Sequence, residues 1–446
     1  MNRILIKNAK IVNEGSVFEG DVLIEDEFIV EIAESISAKS PSTKIIDAEG
    51  NYLIPGMIDD QVHFREPGLT HKGDIASESK AAAAGGITSF MEQPNTIPNA
   101  VTQELLEEKF KIAEKNSYVN YSFNMGVTND NLEEVLKTNP KNVAALKIFL
   151  GSSTGNMLVD NEAVLEKIFS STTMLICVHC EDEHTIKSNL EDYKERYGAE
   201  IPVTAHHLIR SEEACYLSSS KAIELAKKTG ARLHVFHLST AKEMELFSNK
   251  IPLKEKKITA EVCIHHLWFS NEDYETKGNL IKWNPAVKTS VDREALWKAL
   301  LDGRIDVIAT DHAPHTLEEK KQNYLNAPSG GPLVQHALVA LFEAYHQGKI
   351  SIEKIVEKTA HNPAILFQIE KRGFIKVGYY ADLVIVNAGL PWSVKKENIL
   401  YKCGWSPFEG ITFRSRITHT FVNGQLVYAN LKVKDIRAGK RLEFDR

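Results

Sequence analysis

The central part of the chain alternates short apolar runs with amphipathic stretches of helical period. Apolar runs of about four to eight residues bounded by turn signals are typical of buried strands, and a period of about 3.6 residues indicates helices. Eight strands are predicted, at Ile54–His63, Ile87–Glu92, Tyr118–Val127, Val143–Leu150, Met174–His179, Arg232–Leu238, Thr259–Trp268 and Asp306–Thr310. Helical patterns separate them at Asp74–Ala84, Thr102–Glu114, Asn161–Phe169, Ser211–Lys228 and Asp292–Leu301. Eight βα repeats predict an α/β fold, a (β/α)8 TIM-type barrel.

The main alternative is an open doubly wound sheet, but no glycine-rich phosphate loop follows the first strand. Both ends of the chain show a different pattern, in which short predicted strands are separated by turns. Ile417 to Tyr428, for example, predicts two strands around the hairpin turn Asn423-Gly424. We expect both ends to pair into one small β-sandwich unit of residues 1–53 and 366–446, beside a barrel of residues 54–365.

Composition excludes several classes of protein. The 446 residues are 43% hydrophobic and 25% charged, as in an ordinary soluble globular protein. The net charge of −7 gives no reason to expect binding to nucleic acid or to an anionic membrane. No signal peptide and no membrane-spanning stretch is predicted. The five cysteines are odd in number and irregularly spaced, so we expect buried thiols and a reducing cytoplasm rather than a disulfide framework.

Polar side chains recur where the predicted strands end. They are His63, Lys147, His179, His237 and Asp311, on strands one, four, five, six and eight. A lone buried histidine is usually structural, but these five lie at the same end of five repeats, where a barrel has its active site. Imidazole nitrogens and a carboxylate suit Zn²⁺, which turns a bound water into a nucleophile. His234 lies three residues before His237, so we expect it to face elsewhere and to be structural.

Three of these side chains have further chemistry. Strand alternation puts Gln61 and His63 on one face of the strand, and Arg65 follows on the same face. A metal ligand, His63, therefore lies next to a cation, Arg65, that can hold an anion. Alternation also puts Lys147 inside the barrel, where an unpaired ammonium is costly. It is therefore paired with a carboxylate, or carboxylated by CO₂ into an anion that bridges two metals. Asp311 suits a metal ligand and general base, or alternatively a helix N-cap.

The motifs around these residues resemble those of the dihydroorotases, in the amidohydrolase superfamily, over almost the whole chain. The matching segments are Gly56–Asp59, Val62–Gly68, Gln93–Thr96, Phe236–Ser239, Trp283–Ala286, Ala309–His315, Ala381–Leu383 and Phe421–Gly424. The resemblance implies reversible hydrolysis of the cyclic amide of (S)-dihydroorotate to N-carbamoyl-L-aspartate, a step of de novo pyrimidine (UMP) biosynthesis. The substrate is a small molecule, and the family makes a homodimer the expected assembly.

The resemblance also implies roles for individual residues. The metal site holds one or two zinc ions on His63, Lys147, His179, His237 and Asp311, with Lys147 carboxylated. Arg65, Asn95 and His315 hold the substrate carboxylate, and Asn284 contacts the ring. A metal-bound hydroxide attacks the amide carbonyl, while Asp311 takes the proton and passes it to the leaving nitrogen.

The chain departs from the family at Gln61, where a histidine normally completes a His-x-His pair. An amide oxygen is a poorer zinc ligand than imidazole, so we predict that the metal held by Gln61 and His63 is weakly bound or absent. Two alternatives stay open. One is another cyclic amidohydrolase, such as a hydantoinase or allantoinase, and the other is a catalytically silent subunit. Residues 328–332, Pro-Ser-Gly-Gly-Pro, are predicted to form a lid, a substrate loop or a plain turn.

Overall fold

Eight parallel strands form a closed barrel at the centre of the computed structural model, which describes residues 2–38, 40–151 and 157–446. The strands are Met57–Val62, Ile87–Glu92, Asn120–Phe123 continued by Met125–Gly126, Leu146–Phe149, Ile176–His179, Leu233–Val235, Ile258–Cys263 and Val307–Ala309. Strands three to eight pair in order, as do strands one to three. A parallel bridge between Val62 and His312 joins the first strand to the last. The predicted barrel is therefore confirmed.

The five predicted helices begin within two residues of their expected starts, and the structure contains further α-helices. The α-helices are Ile75–Ala84, Gln103–Asn116, Leu132–Leu136, Glu162–Ser171, Glu183–Tyr197, His206–Ile209, Glu212–Thr229, Ile264–Trp268, Tyr274–Lys277, Ser290–Leu301, Leu317–Lys320, Ala337–His346, Ile352–Val356 and Asn362–Phe367. Side-chain caps fix the starts of the long ones. Asp74 accepts a hydrogen bond from the Ser77 amide, and Thr102 accepts one from the Leu105 amide. Such caps satisfy amide groups that the first helical turn leaves without partners.

Two predicted strands differ from the structure. Thr259–Trp268 was expected to be one strand, but the strand ends at Cys263 and Ile264–Trp268 is a helix. Short apolar runs fit either periodicity, which explains the error. Ile54–His63 is split at Gly56, so that Tyr52–Pro55 pairs with the terminal sheet. A Cβ at Gly56 would lie 2.1 Å from the Thr88 side chain, so only glycine permits this close approach.

The two ends of the chain form a separate nine-stranded sheet. Its strands are Arg3–Asn13, Ser16–Glu25, Phe28–Ala33, Lys44–Asp47, Tyr52–Pro55, Leu383–Asn387, Arg416–Val422, Gln425–Ala429 and Lys432–Val433. Tyr52–Pro55 pairs with Arg3–Asn13 on one side and with Leu383–Asn387 on the other, which joins the two ends. This agrees with the predicted β unit, while its boundaries at residues 53 and 366 stay a prediction.

The core lies mainly between the barrel strands and the surrounding helices. A second cluster fills the lumen, where Ile58, Met91, Cys177 and Val307 from strands one, two, five and eight pack together. Filled lumens are the rule in eight-stranded barrels, so a site can form only at an end. None of the helices in the described ranges is both long and apolar enough to cross a membrane.

Candidate metal and substrate site

All of the residues predicted for the site line one small cavity. It has a volume of about 80 Å³ and lies at the carboxyl end of the barrel strands. Its walls contain Gln61, His63, Arg65, Asn95, Lys147, Phe149, His179, His237, Trp283, Asn284, Asp311, Ala313, His315, Ser329 and Gly330. His234 is not among them, in agreement with its expected position. The structure thus brings together chain segments more than 200 residues apart.

The backbone is strained at three of these positions. Arg65, His237 and Asp311 have φ values of 71°, 39° and 49°, in the left-handed region that residues other than glycine rarely adopt. Each residue follows the end of a barrel strand, where the chain turns towards the cavity. Strain of this kind costs about 1–3 kcal/mol per residue and persists where the surrounding structure enforces it, commonly at functional sites.

The nitrogens of His179 and His237 converge on one point. His179 Nδ1 lies 3.0 Å from His237 Nε2, and both rings are buried. On its other side, His179 Nε2 lies 3.0 Å from a Glu181 carboxylate oxygen, and this charge favours a proton on Nε2 and a lone pair on Nδ1. Burial lowers the pKa of both histidines, so both rings are neutral near pH 7. A neutral imidazole with its lone pair facing the cavity is the state that binds a metal.

Glu181 is held in turn by Arg210 in a buried ion pair. Burial alone would raise the pKa of Glu181, but Arg210 and His179 outweigh burial and lower it to about 2. Sequence reasoning missed both residues. Glu181 carries a signal in retrospect, because it follows His179 by two residues, whereas nothing in the sequence connects Arg210 to the site. Carboxylates behind metal-binding histidines fix the tautomer and orient the ring.

His63 has the same arrangement. Its Nδ1 lies 2.9 Å from the side-chain amide oxygen of Asn95, which accepts the proton. Its Nε2 lies 3.2 Å from an Asp311 carboxylate oxygen. Burial lowers the pKa of His63, although Asp311 opposes the change. With Nδ1 protonated, a lone pair on Nε2 faces the carboxylate, and a cation between them relieves the repulsion. The donor set therefore fits a divalent metal ion.

Lys147 lines the same cavity. Its side chain is 1% exposed, and its Nζ has no hydrogen-bond partner among the described residues. The ammonium instead lies 4.5 Å from the ring centre of Phe149 and 4.6 Å from that of Phe236. Burial lowers the pKa of Lys147 to about 8, so a substantial neutral fraction exists near neutral pH. The ion pair with a carboxylate that the sequence allowed is not found within the described ranges.

Gln61 lines the cavity next to His63, but its amide oxygen already has a contact. The thiol of Cys263 lies 3.6 Å from Gln61 Oε1 and 3.3 Å from Glu261 Oε1. A thiol is a weak donor, so this contact stabilises the Gln61 side chain only slightly.

The lining of the cavity also contains a buried guanidinium. Arg65 is 4% exposed, and its Nη2 lies 3.0 Å from His315 Nε2, while its Nε donates to the Pro314 carbonyl oxygen. Burial lowers the pKa of Arg65 to about 10, which still leaves it charged. No carboxylate forms an ion pair with Arg65 among the described residues. A buried guanidinium without a carboxylate partner suits a carboxylate ligand.

His315 is fixed by residues that the sequence did not indicate. Lys72 Nζ lies 3.1 Å from His315 Nδ1 and 2.9 Å from a Glu319 carboxylate oxygen. Ammonium and guanidinium groups only donate, so Lys72 at Nδ1 and Arg65 at Nε2 both compete for a lone pair of the ring, while Nε2 also lies 3.0 Å from the Ser329 carbonyl oxygen. These contacts hold the His315 ring beside Arg65.

The segment predicted as a lid or substrate loop, residues 328–332, forms part of the cavity wall through Ser329 and Gly330. Two buried lysines hold it in place. Lys320 Nζ donates to the carbonyl oxygens of Pro328 at 2.8 Å and Gly330 at 2.7 Å, and Lys282 Nζ donates to that of Ala327 at 2.6 Å. The segment is an ordered wall of the cavity and more than a plain turn.

Cavity size alone does not identify the site. A larger cavity of about 1190 Å³ lies at the amino ends of the strands, where Met174, Arg232 and Lys257 line it. It contains none of the predicted site residues. The smaller cavity combines histidines with perturbed pKa values and a buried guanidinium, and this chemistry marks it as the functional site.

Comparisons with known proteins agree with this geometry. The sequence profile of the amidohydrolase family matches residues 52–427. A dihydroorotase of Halobacterium salinarum is 37% identical over 369 residues, which cover 82% of this chain and 84% of that protein. A dihydroorotase of Carboxydothermus hydrogenoformans is 35% identical over 96% of this chain and 98% of that protein. The chain belongs to the amidohydrolase family, in its dihydroorotase branch.

Comparison with solved structures finds a related class of enzyme, the hydantoinases. An L-hydantoinase (dihydropyrimidinase) from Arthrobacter aurescens superimposes with a TM-score of 0.93 and 26% identity, over 99% of this chain and 100% of that chain. The resemblance to dihydroorotases and the barrel fold are thus confirmed. The protein is a hydrolase of the cyclic-amide class, in a family whose members generally depend on metals.

Proposed function

We propose that this protein is a dihydroorotase, which interconverts (S)-dihydroorotate and N-carbamoyl-L-aspartate. The observation that carries the proposal is the position of Arg65 in the cavity of the predicted metal ligands, with His315 3.0 Å away. This wall supplies a charge and hydrogen-bond donors for the substrate carboxylate. The dihydroorotases among the relatives support the same substrate.

The proposed metal ligands are His63, His179, His237, Asp311 and modified Lys147. Zinc is the metal that this mixture of imidazole and carboxylate donors favours. When bound, it polarises the amide carbonyl of the substrate and lowers the pKa of an attacking water. We expect one tightly bound ion on the His179, His237 and Lys147 side, and a weaker one, or none, beside Gln61.

Carboxylation of Lys147 is part of the proposal. The pKa of about 8 provides the neutral amine, which attacks CO₂ to form a carbamate and releases one proton. The product replaces a cation in an apolar setting with an anion that binds metal. The Lys147 amine has two phenyl rings beside it and no hydrogen-bond partner among the described residues, which supports this assignment.

Asp311 is the proposed general base and acid. Its carboxylate lies 3.2 Å from His63 Nε2 and lines the cavity, within reach of a water that attacks the carbonyl. Asp311 takes the proton of that water as the C–O bond forms, then delivers it to the ring nitrogen as the C–N bond breaks. Asn284 lines the same cavity and, with Asn95, is proposed to orient the substrate.

The reaction would serve de novo pyrimidine synthesis in the cytoplasm, with a homodimer as the proposed assembly. The second candidate is a hydantoinase, which the superposition on the Arthrobacter aurescens enzyme favours. A ring without a carboxylate would leave the charge of Arg65 without a partner, so we rank this candidate lower. A silent subunit is ranked below both, because Gln61 is the one departure among the six positions where the family has metal ligands, and the other five keep a metal-binding side chain.

Turnover measurements decide among the three candidates. The purified protein is incubated with dihydroorotate, N-carbamoyl-L-aspartate and hydantoin, with and without zinc and a chelator. We expect turnover of the first two only, lost with the chelator and restored by zinc. Turnover of hydantoin alone would favour the second candidate, and no turnover of any compound would favour the silent subunit.

A further inference from the structure

A second group of metal-binding side chains lies inside the barrel, apart from the cavity. Asp60, His234 and Glu261 extend from strands one, six and seven, and all three are 0% exposed. One ligand atom from each lies within 4.8 Å of the other two. None of the three lines the cavity. The sequence suggested only a structural role for His234.

The tautomer of His234 points towards a cation. Its Nδ1 lies 2.8 Å from the Thr259 hydroxyl oxygen, and that hydroxyl donates its own proton to the Leu233 carbonyl oxygen at 3.2 Å. The hydroxyl must therefore accept from His234 Nδ1–H. This leaves Nε2 facing Asp60 Oδ2 at 3.2 Å and Glu261 Oε2 at 3.7 Å.

Neither of these contacts has the alignment of a hydrogen bond. Nε2 of His234, both carboxylate oxygens of Asp60 and Oε2 of Glu261 lack hydrogen-bond partners among the described residues. Oxygen and nitrogen ligands at about 2.0–2.2 Å around a tetrahedral ion lie about 3.4 Å apart. The observed separations of 3.2 and 3.7 Å bracket that value. The spacing therefore suits three ligands of one ion.

The charges lead to the same conclusion. Two carboxylates in a dry interior repel one another, and Asp60 and Glu261 are both 0% exposed. Burial alone would lower the pKa of His234, but its contacts with Asp60 and Glu261 outweigh burial and raise it to about 9. Without a metal, the resulting imidazolium compensates one of the two negative charges. A divalent ion would compensate both and would also use the lone pair on Nε2.

We propose that Asp60, His234 and Glu261 bind a divalent transition-metal ion of the zinc class in the barrel interior. This ion ties strands one, six and seven together beneath the catalytic cavity. Glu261 connects the two, because its other oxygen, Oε1, accepts a hydrogen bond from the His237 amide at 2.9 Å. The ion therefore positions His237 through the backbone and takes no part in the reaction.

Anomalous scattering at the zinc edge tests the proposal on the intact protein. Crystals of protein purified with added zinc are expected to show a peak bonded to Asp60, His234 and Glu261. Such a peak needs no variant and is independent of catalytic activity. The absence of a peak there, with one present in the cavity, would overturn the proposal and identify the cluster as an imidazolium ion pair.

Metal counting on variants gives a second measurement. Asp60→Asn is expected to lose about one zinc per chain. Asp59→Asn is the matched control, because Asp59 is equally buried on the same strand but pairs with Thr310. Lys147→Ala is expected to retain the interior ion while losing the cavity ion and turnover, which separates this proposal from the proposed function. An unchanged zinc content in folded Asp60→Asn would refute the interior site.

Discussion

Replacing Arg65 with methionine should change which ring the enzyme accepts. Dihydrouracil is dihydroorotate without its carboxylate, so the two compounds report on the carboxylate contact alone. At an effective dielectric constant of about 20 and a separation of about 4 Å, an ion pair contributes about 4 kcal/mol. Arg65 is only 4% exposed, so water does not screen the pair, and the loss corresponds to about a thousandfold in kcat/KM.

The assay compares kcat/KM for dihydroorotate and dihydrouracil in the wild type and in Arg65→Met. We expect the value for dihydroorotate to fall about a thousandfold while that for dihydrouracil changes by less than about tenfold. Arg65→Lys is the control, because it keeps the charge but loses the planar fork. Its kcat/KM for dihydroorotate should lie between those of the wild type and Arg65→Met. Equal losses with both rings in a folded variant would show that Arg65 is structural and that the reasoning is wrong.

Three other substitutions test separate parts of the site. Gln61→His should add about one dialysis-resistant zinc per chain relative to the wild type, and an unchanged zinc content would contradict the reasoning about the missing imidazole. Glu181→Gln should weaken zinc binding about 10–100-fold by releasing the His179 tautomer, as measured by chelator competition. Because the folded pKa of Glu181 is about 2, against about 4.3 when unfolded, its contribution to stability should be complete above about pH 4.3 and disappear as the pH falls towards 2. Unfolding curves across that interval should therefore converge for wild type and Glu181→Gln, and parallel curves would refute the assignment. Lys320→Met should raise KM about tenfold with little change in kcat, because the carbonyl oxygens of Pro328 and Gly330 lose their hydrogen-bond donor. Its exposed neighbour provides the control, since Lys321→Met should leave KM unchanged.

The fold followed from the sequence because its pattern is local. Strand two was predicted at Ile87–Glu92 and is found there, since a short apolar run between Gly86 and a polar segment leaves few alternatives. The helix at Ile264–Trp268 was not predicted, because five apolar and histidine residues after a strand fit either structure. Periodicity fixed most elements, and it failed where an element was too short to show its period.

The candidate site was predictable to the extent that barrel topology repeats. The carboxyl ends of the strands all lie at one end of a barrel, so His63, His179 and Asp311 could be grouped without a structure. The ion pairs that hold these ligands in place could not be predicted. Arg210 is 29 residues from Glu181, and no local pattern indicates that their side chains meet.

The sequence by itself determined the barrel, the end at which the site forms and the residue types that face it. These features depend on strand alternation and on chain order, which are properties of short segments. Only the tertiary structure decided that His179 meets His237, and that Asp60 meets His234 and Glu261 inside the barrel. Such contacts depend on how strands distant in the chain are staggered against one another, and a displacement of one residue would turn each side chain to the other face.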